Sequence, residues 1–351
     1  MSQKLKLPAE WASQDAVLLA WPHAQSDWLP ILPRIENVFT ELVYYIARFE
    51  HVVLLCQTPS LAHSVREKLL SRHVKLQRVH FLVLPYNDTW LRDSGPISVI
   101  DDSNVCLYDF RFNGWGGKFD ASLDDQICRV LSQNALFKGS FRESHLILEG
   151  GSIDSDGQGT LLTTRQCLLT DTRNPAMQTT DYENFFAEAF GTRQVIWLAH
   201  GELEGDDTDG HVDMLARFCD PQTIAYTSCE REDDDQYESL KAMADELASL
   251  RNCQGEAYKL VPLPIPEAIY NESGRRLPAS YANFLIINGA VLVPCYQDRN
   301  DERILETLRA CFPRREVIGI DARAVIEQNG SLHCLSMQLP KGSLQLNSDR
   351  A

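Results

Sequence analysis

No stretch of this 351-residue chain approaches the ~20 consecutive apolar residues that a membrane-crossing helix needs, which argues against a membrane protein. The first residues, Met1-Ser2-Gln3-Lys4-Leu5-Lys6, lack the apolar core of a secretory signal. Ten cysteines are present, yet none forms a Cys-x-x-Cys pair of the kind used for zinc or thiol redox chemistry. No His-x-x-x-His pair occurs either. Positive charge is the scarcer sign: 33 Lys and Arg against 49 Asp and Glu leave a net charge of −16. That balance disfavours nucleic acid and anionic membrane as partners and is compatible with a cationic substrate. Scattered thiols without an export signal fit a reducing compartment, so the expected location is cytoplasmic. A homo-oligomer is allowed by these numbers but not specified by them.

With 44% hydrophobic residues the chain can bury a sizeable core; its length allows two domains or one large one, and residues 1–351 are read as a single domain. Ile35, Val38, Phe39, Leu42, Ile46 and Phe49 recur at helical spacing, and His51 to Cys56 reads as a strand. A helix from Ser60 to Leu70 and a strand from Val79 to Leu84 follow. A hairpin is then predicted from Pro96 to Phe110, turning at Asp101-Asp102-Ser103-Asn104, with a helix over Leu123 to Leu131 and a strand from Ser144 to Leu148. The order recurs. Hairpins are predicted around Asp154-Ser155-Asp156-Gly157, between Val212–Phe218 and Thr223–Thr227, and around Asn288-Gly289. Each is followed by a helix (182–189, 235–250, 302–310) and a strand (194–198, 258–263, 316–320). Cys334 is placed in a final strand, and the irregular stretch from Pro264 to Pro278 reads as a lid. A ββαβ unit of roughly 60 residues repeated in this way predicts an α/β fold closed into a propeller-like array.

The chemically suggestive residues fall at the junctions of these units. Asp93 and Glu149 are 56 positions apart, Glu149 and His211 are 62 apart, and His211 and Cys334 are 123 apart, close to two units. If each unit delivers one junction to a common axis, Asp93, Glu149, His211, Asp213 and Cys334 share one cavity, and the intervening unit contributes from near residues 277–281. Reading His211-Val212-Asp213 as a strand puts the imidazole and the carboxylate on one wall. Paired carboxylates can grip a guanidinium through charge-assisted hydrogen bonds. A thiol can attack its central carbon, with imidazole to protonate the departing ammonia and then activate water.

Other readings of the same residues are weaker. Asp207-Thr208-Asp209-Gly210 resembles part of a calcium loop, but Gly205 and Ala216 stand where acidic ligands are required. A transition metal on His211 with Asp207, Asp209 and Asp213 lacks a second histidine. Arg92 reads as a structural ion-pair partner.

Several ordered blocks carry a family resemblance: Pro8-Ala9-Glu10-Trp11, Leu19-Ala20-Trp21-Pro22-His23, Asn87 to Pro96, Phe112 to Gly117, Glu149-Gly150-Gly151, Asp207 to Asp213, Ala279 to Phe284, and Leu332-His333-Cys334. In these blocks the chain resembles the agmatine deiminases, of the family that also contains the bacterial, Porphyromonas-type peptidylarginine deiminases. The resemblance implies a five-bladed α/β propeller, the pentein fold. It implies Cys334 as nucleophile and His211 as general acid/base, Asp93 and Asp213 on the guanidinium, and Glu149 holding the histidine and reaching the substrate. Agmatine would yield N-carbamoylputrescine and ammonia in putrescine biosynthesis, with no metal or organic cofactor. A thiolate beside an imidazolium is the expected competent pair.

Two departures bear on substrate choice. Plant-like members read Thr-Asn-Gly-His where this chain has Thr208-Asp209-Gly210-His211, and their last block is richer in glycine. Trp90 and Trp115 are expected at the pocket, Trp115 as a wall for the four-carbon chain, and Asp207 as the partner of the distal ammonium. The alternatives are a deiminase of peptidyl-arginine or of another small guanidino compound, a metal-dependent hydrolase, and, in a different class, a non-enzymatic binder of amines. The intact set of thiol, imidazole and carboxylates argues against the last.

Overall fold

The computed structural model describes residues 5–101 and 104–346. Its strands form five separate sheets of three or four strands each. One unit recurs: an antiparallel pair, a helical crossover, then a third strand parallel to the second. Ile97–Asp101, Asn104–Arg111 and Ser140–Ile147 make one such set. Ile153–Ser155, Thr160–Thr164 and Gln194–Leu198 make the next. Ala216–Asp220, Thr223–Ser228 and Lys259–Pro264 follow, then Leu285–Ile286, Ala290–Cys295 and Glu316–Asp321. The fifth set joins distant parts of the chain. Ser336–Pro340 pairs antiparallel with Gln14–Ala20, which runs parallel to His51–Cys56, and Val79–Val83 adds a further parallel strand.

The helices form where the apolar spacing asks for them. Leu32–Phe49 starts with a proline in its first turn and buries Ile35, Val38, Phe39, Leu42, Val43 and Ile46 along one face. Pro59–Ser71 is capped by the Thr58 side chain, which accepts from the Leu61 amide. Strands Gln14–Ala20 and His51–Cys56 are buried on both faces. Val17, Leu19, Val52 and Leu54 point into one apolar cluster, and Ala16, Leu18, Val53 and Leu55 into another. Burial on both sides removes any need for polar alternation, which is why these strands read as continuous apolar runs. Among the described residues no helix is long and apolar enough to cross a membrane.

Several expectations need correction. His211-Val212-Asp213 is not a strand: Val212–Met214 is a single 3-10 turn with His211 at its N-terminal cap, and the strand starts at Ala216. Cys334 likewise lies in a turn just ahead of Ser336–Pro340 rather than in a strand. None of the residues of the stretch 264–278, read as a lid, lines the main cavity, and its contact with the rim is Arg275 Nη2 donating to Asn329 Oδ1 at 2.7 Å. It is tied down instead, with both Arg276 Nη atoms on Asp234 at 2.8 and 2.9 Å. The Asn288-Gly289 hairpin exists, but for another reason than a left-handed turn. A Cβ at Gly289 would lie 2.1 Å from the Phe49 ring, so close approach is what requires glycine. Strand Gln14–Ala20 was not anticipated. The hairpin turn at Asp102-Ser103 lies outside the described residues.

One regularity positions the site. The chain makes a tight turn just before the first strand of every set: Leu91–Ser94, Gly150–Ser152, Val212–Met214, residues 281–282 and residues 332–335.

Candidate active site

These five turns converge. Asp93 sits in the first and Glu149 precedes the second; His211 precedes the third and Asp213 lies within it, Asn283 follows the fourth, and Cys334 lies in the fifth. Asp93 Oδ1 accepts from the Gly151 amide at 3.0 Å and lies 3.6 Å from His211 Nδ1. Asp93 Oδ2 accepts from the Trp115 indole N–H at 2.9 Å. A Cβ on Gly151 would lie 2.7 Å from His211 Nδ1, 2.9 Å from Asp93 Oδ1 and 3.1 Å from Asp213 Oδ2. Only glycine leaves these three side chains room to meet. The imidazole and the Asp213 carboxylate thus share one wall as expected, although a 3-10 turn and not a strand puts them there.

Cys334 Sγ accepts from Asn283 Nδ2 at 3.2 Å and lies 3.5 Å from Asp213 Oδ2, to which its S–H donates. The other Asp213 oxygen, Oδ1, is buried without a partner, as are both ring nitrogens of His211. An orphaned buried carboxylate oxygen is costly unless something arrives to pair with it. Glu149 does not bond the imidazole. Both its oxygens accept from Arg173 Nε, at 2.8 and 3.0 Å, and Arg173 continues to Asp209 Oδ2 and the Thr208 carbonyl, each at 2.8 Å. Glu149, Cys167 and His211 offer ligand-type atoms within 4.8 Å of one another. The Arg173 guanidinium on Glu149 already supplies the cation that a metal would bring.

The charges follow from burial and neighbours. Burial pushes the Asp93 carboxyl up to about 6; the charge on His211 opposes this, and Asp213 and Glu149 add to it. Burial also disfavours a charged His211, but Asp93, Cys167 and Glu149 outweigh it and hold the imidazole well above its ordinary value. Burial raises the Cys334 thiol well above its usual range, and the carboxylates of Asp213 and Asp93 push it further. The resting pair is therefore a neutral thiol near an imidazolium. The thiolate expected from sequence is not favoured until a cation offsets the two carboxylates.

A cavity of about 360 Å³ opens onto Cys334 and Asp93 and is lined by Trp90, Trp115 and Asp207 as well. His211, Asp213 and Glu149 lie fully buried behind its floor. Asp207 is fixed at the wall by Asn329, whose Nδ2 donates to Oδ2 at 2.7 Å. Asp206 organises the same loop, accepting from Thr208 N and Oγ1 with one oxygen and from Gly210 N with the other. Among the described residues, the lining holds several aspartates and neither lysine nor arginine.

The profile of the Porphyromonas-type peptidyl-arginine deiminase family matches residues 6–340. The chain belongs to this family. It is 33% identical to a Selenomonas ruminantium protein provisionally assigned as an agmatine deiminase, over 95% of each chain. The C. jejuni agmatine deiminase with substrate bound is 40% identical and superposes with a TM-score of 0.89 over 97% of each chain. A Porphyromonas gingivalis structure provisionally assigned as an arginine deiminase is 44% identical, with a TM-score of 0.91 over 97% of this chain and 100% of that one.

Four residues around this site were given no role from sequence. Arg173 lies in a loop with no periodic signal. Asn283 stands inside a block that carried the resemblance and just beyond the stretch expected to contribute. The other two, Glu10 and His333, pair with each other, each in a recognised block but 323 positions apart. Arg92 is the structural ion-pair partner expected, with Nη1 3.3 Å from Glu10 Oε1.

Proposed function

We propose that this chain hydrolyses agmatine to N-carbamoylputrescine and ammonia through a covalent intermediate on Cys334. The observation that carries this reading is the cavity: carboxylates at its floor and wall, a thiol at its end and, among the described residues, no Lys or Arg in its lining to receive a carboxylate. An amine-terminated guanidine matches that lining. Free arginine and peptidyl-arginine do not, because each brings a carboxylate or a peptide backbone to a wall that carries Asp207. At about 360 Å³ the cavity is of small-molecule size. In the same reading the five sheets are the blades of one propeller, each set giving one turn to the central site.

The guanidinium takes up the partnerless Asp213 Oδ1 and the Asp93 carboxylate, displacing the Trp115 N–H from Oδ2. Its charge offsets the two carboxylates that raise the thiol, and the Cys334 proton leaves to cavity water. Sulfur attacks the guanidino carbon. The His211 imidazolium gives its proton to the departing nitrogen, the C–N bond breaks, and ammonia leaves behind a thiouronium ester. Neutral His211 then takes a proton from water, and hydroxide adds to the same carbon. As the carbonyl forms, the C–S bond breaks and the thiolate recovers the hydroxyl proton. Arg173 and Glu149 hold the charge around His211 throughout. Asp207 pairs with the distal ammonium and Trp115 walls the four-carbon chain.

The test is to incubate the protein separately with agmatine, free arginine and an arginine-containing peptide, and to measure ureido product. Product from agmatine in large excess supports the reading. Product from the peptide or from arginine alone overturns it.

A further inference from the structure

Behind the nucleophile lies a second charged cluster that the reaction outlined above does not use. His333 is wholly buried, with Nδ1 2.7 Å from Asp213 Oδ2 and Nε2 2.7 Å from Glu10 Oε1. Glu10 comes from the N-terminal segment and is held by three further groups. Arg217 Nη2 forms a close ion pair with its Oε2, Arg92 Nη1 reaches Oε1 at 3.3 Å, and Gln338 Nε2 donates to Oε2 at 2.9 Å. Arg217 is anchored in turn to Asp154, with Nε 3.4 Å from Oδ2, and to the carbonyls of Ala282 and Phe284. A small cavity, separate from the substrate cavity, is lined by Glu10, Arg92, Asp154 and Gln338. It meets the Gln14 and Pro340 ends of their paired strands, whereas the substrate cavity meets the His23 and Cys334 ends.

A neutral imidazole has one N–H; an imidazolium has two. Two ionised carboxylates at hydrogen-bond distance from the two ring nitrogens require two donors. Glu10 is ionised: burial opposes its charge, but Arg217, His333 and Arg92 outweigh it. Asp213 is ionised too, for burial is outweighed there by His333, His211 and Arg217. The charged groups facing the ring are therefore Glu10, Asp213, Arg92 and Arg217. Burial first, then the Arg217 and Arg92 guanidinium groups, hold the His333 pKa below its ordinary value against the upward pull of Glu10 and Asp213. The contacts argue the other way and carry more weight, since a bare ring nitrogen 2.7 Å from a carboxylate oxygen would be repulsive.

We propose that His333 is an imidazolium clamped between Glu10 and Asp213, a positioning residue that fixes Asp213 Oδ2 so that Oδ1 faces the substrate guanidinium. Glu10 is the anchor of that clamp, and the short chain Glu10–His333–Asp213 ends beside Cys334 Sγ. The proposal rests on the guanidinium-binding role given to Asp213 above. It assigns work to two residues that carry no chemistry themselves. It also gives a reason for His333 to stand next to the nucleophile, since one turn brings both onto the same carboxylate oxygen, Asp213 Oδ2.

Histidine-selective 15N NMR of the substrate-free wild-type protein tests the charge directly. The expected result is that both His333 ring nitrogens carry protons at neutral pH; one protonated and one bare nitrogen would overturn the proposal, whatever the substrate proves to be. His333→Gln then tests the function. It should lower kcat/KM for agmatine about tenfold or more, carried mainly by KM, and move the acid limb of its pH profile up by about one pH unit as Asp213 loses its cation. A uniform loss in kcat with an unmoved acid limb would mean a merely structural histidine. If the wild-type protein turns over no agmatine, the functional reading fails while the NMR result still decides the state of His333.

Discussion

The two sides of Cys334 treat carboxylates in opposite ways. On the rear side Glu10 is packed against Arg217, Arg92 and His333, and stays ionised despite its burial. On the cavity side Asp88, Asp93 and Asp124 have neutral donors or a histidine but no Lys or Arg partner among the described residues. Asp88 accepts from Trp28 and Thr89, Asp124 from the Asn87 and Asp88 amides, and Asp93 from Trp115 and Gly151. Burial accordingly pushes their carboxyls up, to about 6, 6 and 7 for Asp88, Asp93 and Asp124. Complete pairing makes a scaffold, whereas incomplete pairing leaves a demand for positive charge that a guanidinium can meet.

The sharpest way to break this contrast is to remove the group between the two sides. Cys334→Ser should cut ureido formation by at least about 10⁴-fold with an unchanged circular dichroism spectrum, since a hydroxyl in this setting is far harder to ionise. Arg173→Met takes away the guanidinium from which both Glu149 oxygens accept. Leaving a fully buried carboxylate unpaired should cost about 3–5 kcal/mol in denaturant unfolding, and a loss below 1 kcal/mol would show that the pair matters little.

On the cavity side, Asp93→Asn should lower kcat/KM for agmatine by about 10²-fold. The same change removes a carboxylate that raises the thiol, so alkylation of Cys334 by iodoacetamide should start at lower pH than in the wild type. Asp207→Asn should raise KM for agmatine about tenfold with a smaller change in kcat; an unchanged KM would move the distal subsite elsewhere.

The smallest expected effect is on stability. Asp88, Asp93 and Asp124 have folded-state pKa values raised above those of an unfolded chain, so at these three sites the native state binds more protons than the unfolded one between about pH 4 and 7. Their contribution to stability therefore increases as pH falls from 8 toward 6, against that of His23, His51 and His80, whose pKa values burial lowers. Over that interval the wild type should gain a few degrees of melting temperature relative to Asp124→Asn. No gain over the variant would contradict the picture of carboxylates waiting for a cation.

Much of this was legible from residue order, for identifiable reasons. Leu32–Phe49 announced itself by a one-sided apolar face, and strands such as His51–Cys56 by unbroken apolar runs that burial on both sides permits. The regular intervals between Asp93, Glu149, His211 and Cys334 reflect real turns, each just ahead of a strand pair. Those intervals could not tell a turn from a strand, because one polar residue at a junction fits either. Hence the strands drawn through His211 and Cys334 were misplaced while the convergence held. The lid reading of 264–278 took irregular backbone for unattached backbone, whereas Arg276 pins the stretch to Asp234 and Arg275 ties it to Asn329. Arg173, Asn283 and the Glu10–His333 clamp depend on contacts between segments brought together only by the fold, and no local pattern encodes such a contact.

Turnover should pass through a covalent bond from Cys334 to the guanidino carbon of agmatine. Acid-quenching the protein during turnover, followed by peptide mapping by mass spectrometry, tests it most directly. The prediction is an amidino adduct derived from agmatine on the peptide carrying Cys334, absent in Cys334→Ser. Agmatine turnover by Cys334→Ser, or an adduct on Cys167 instead, would contradict it.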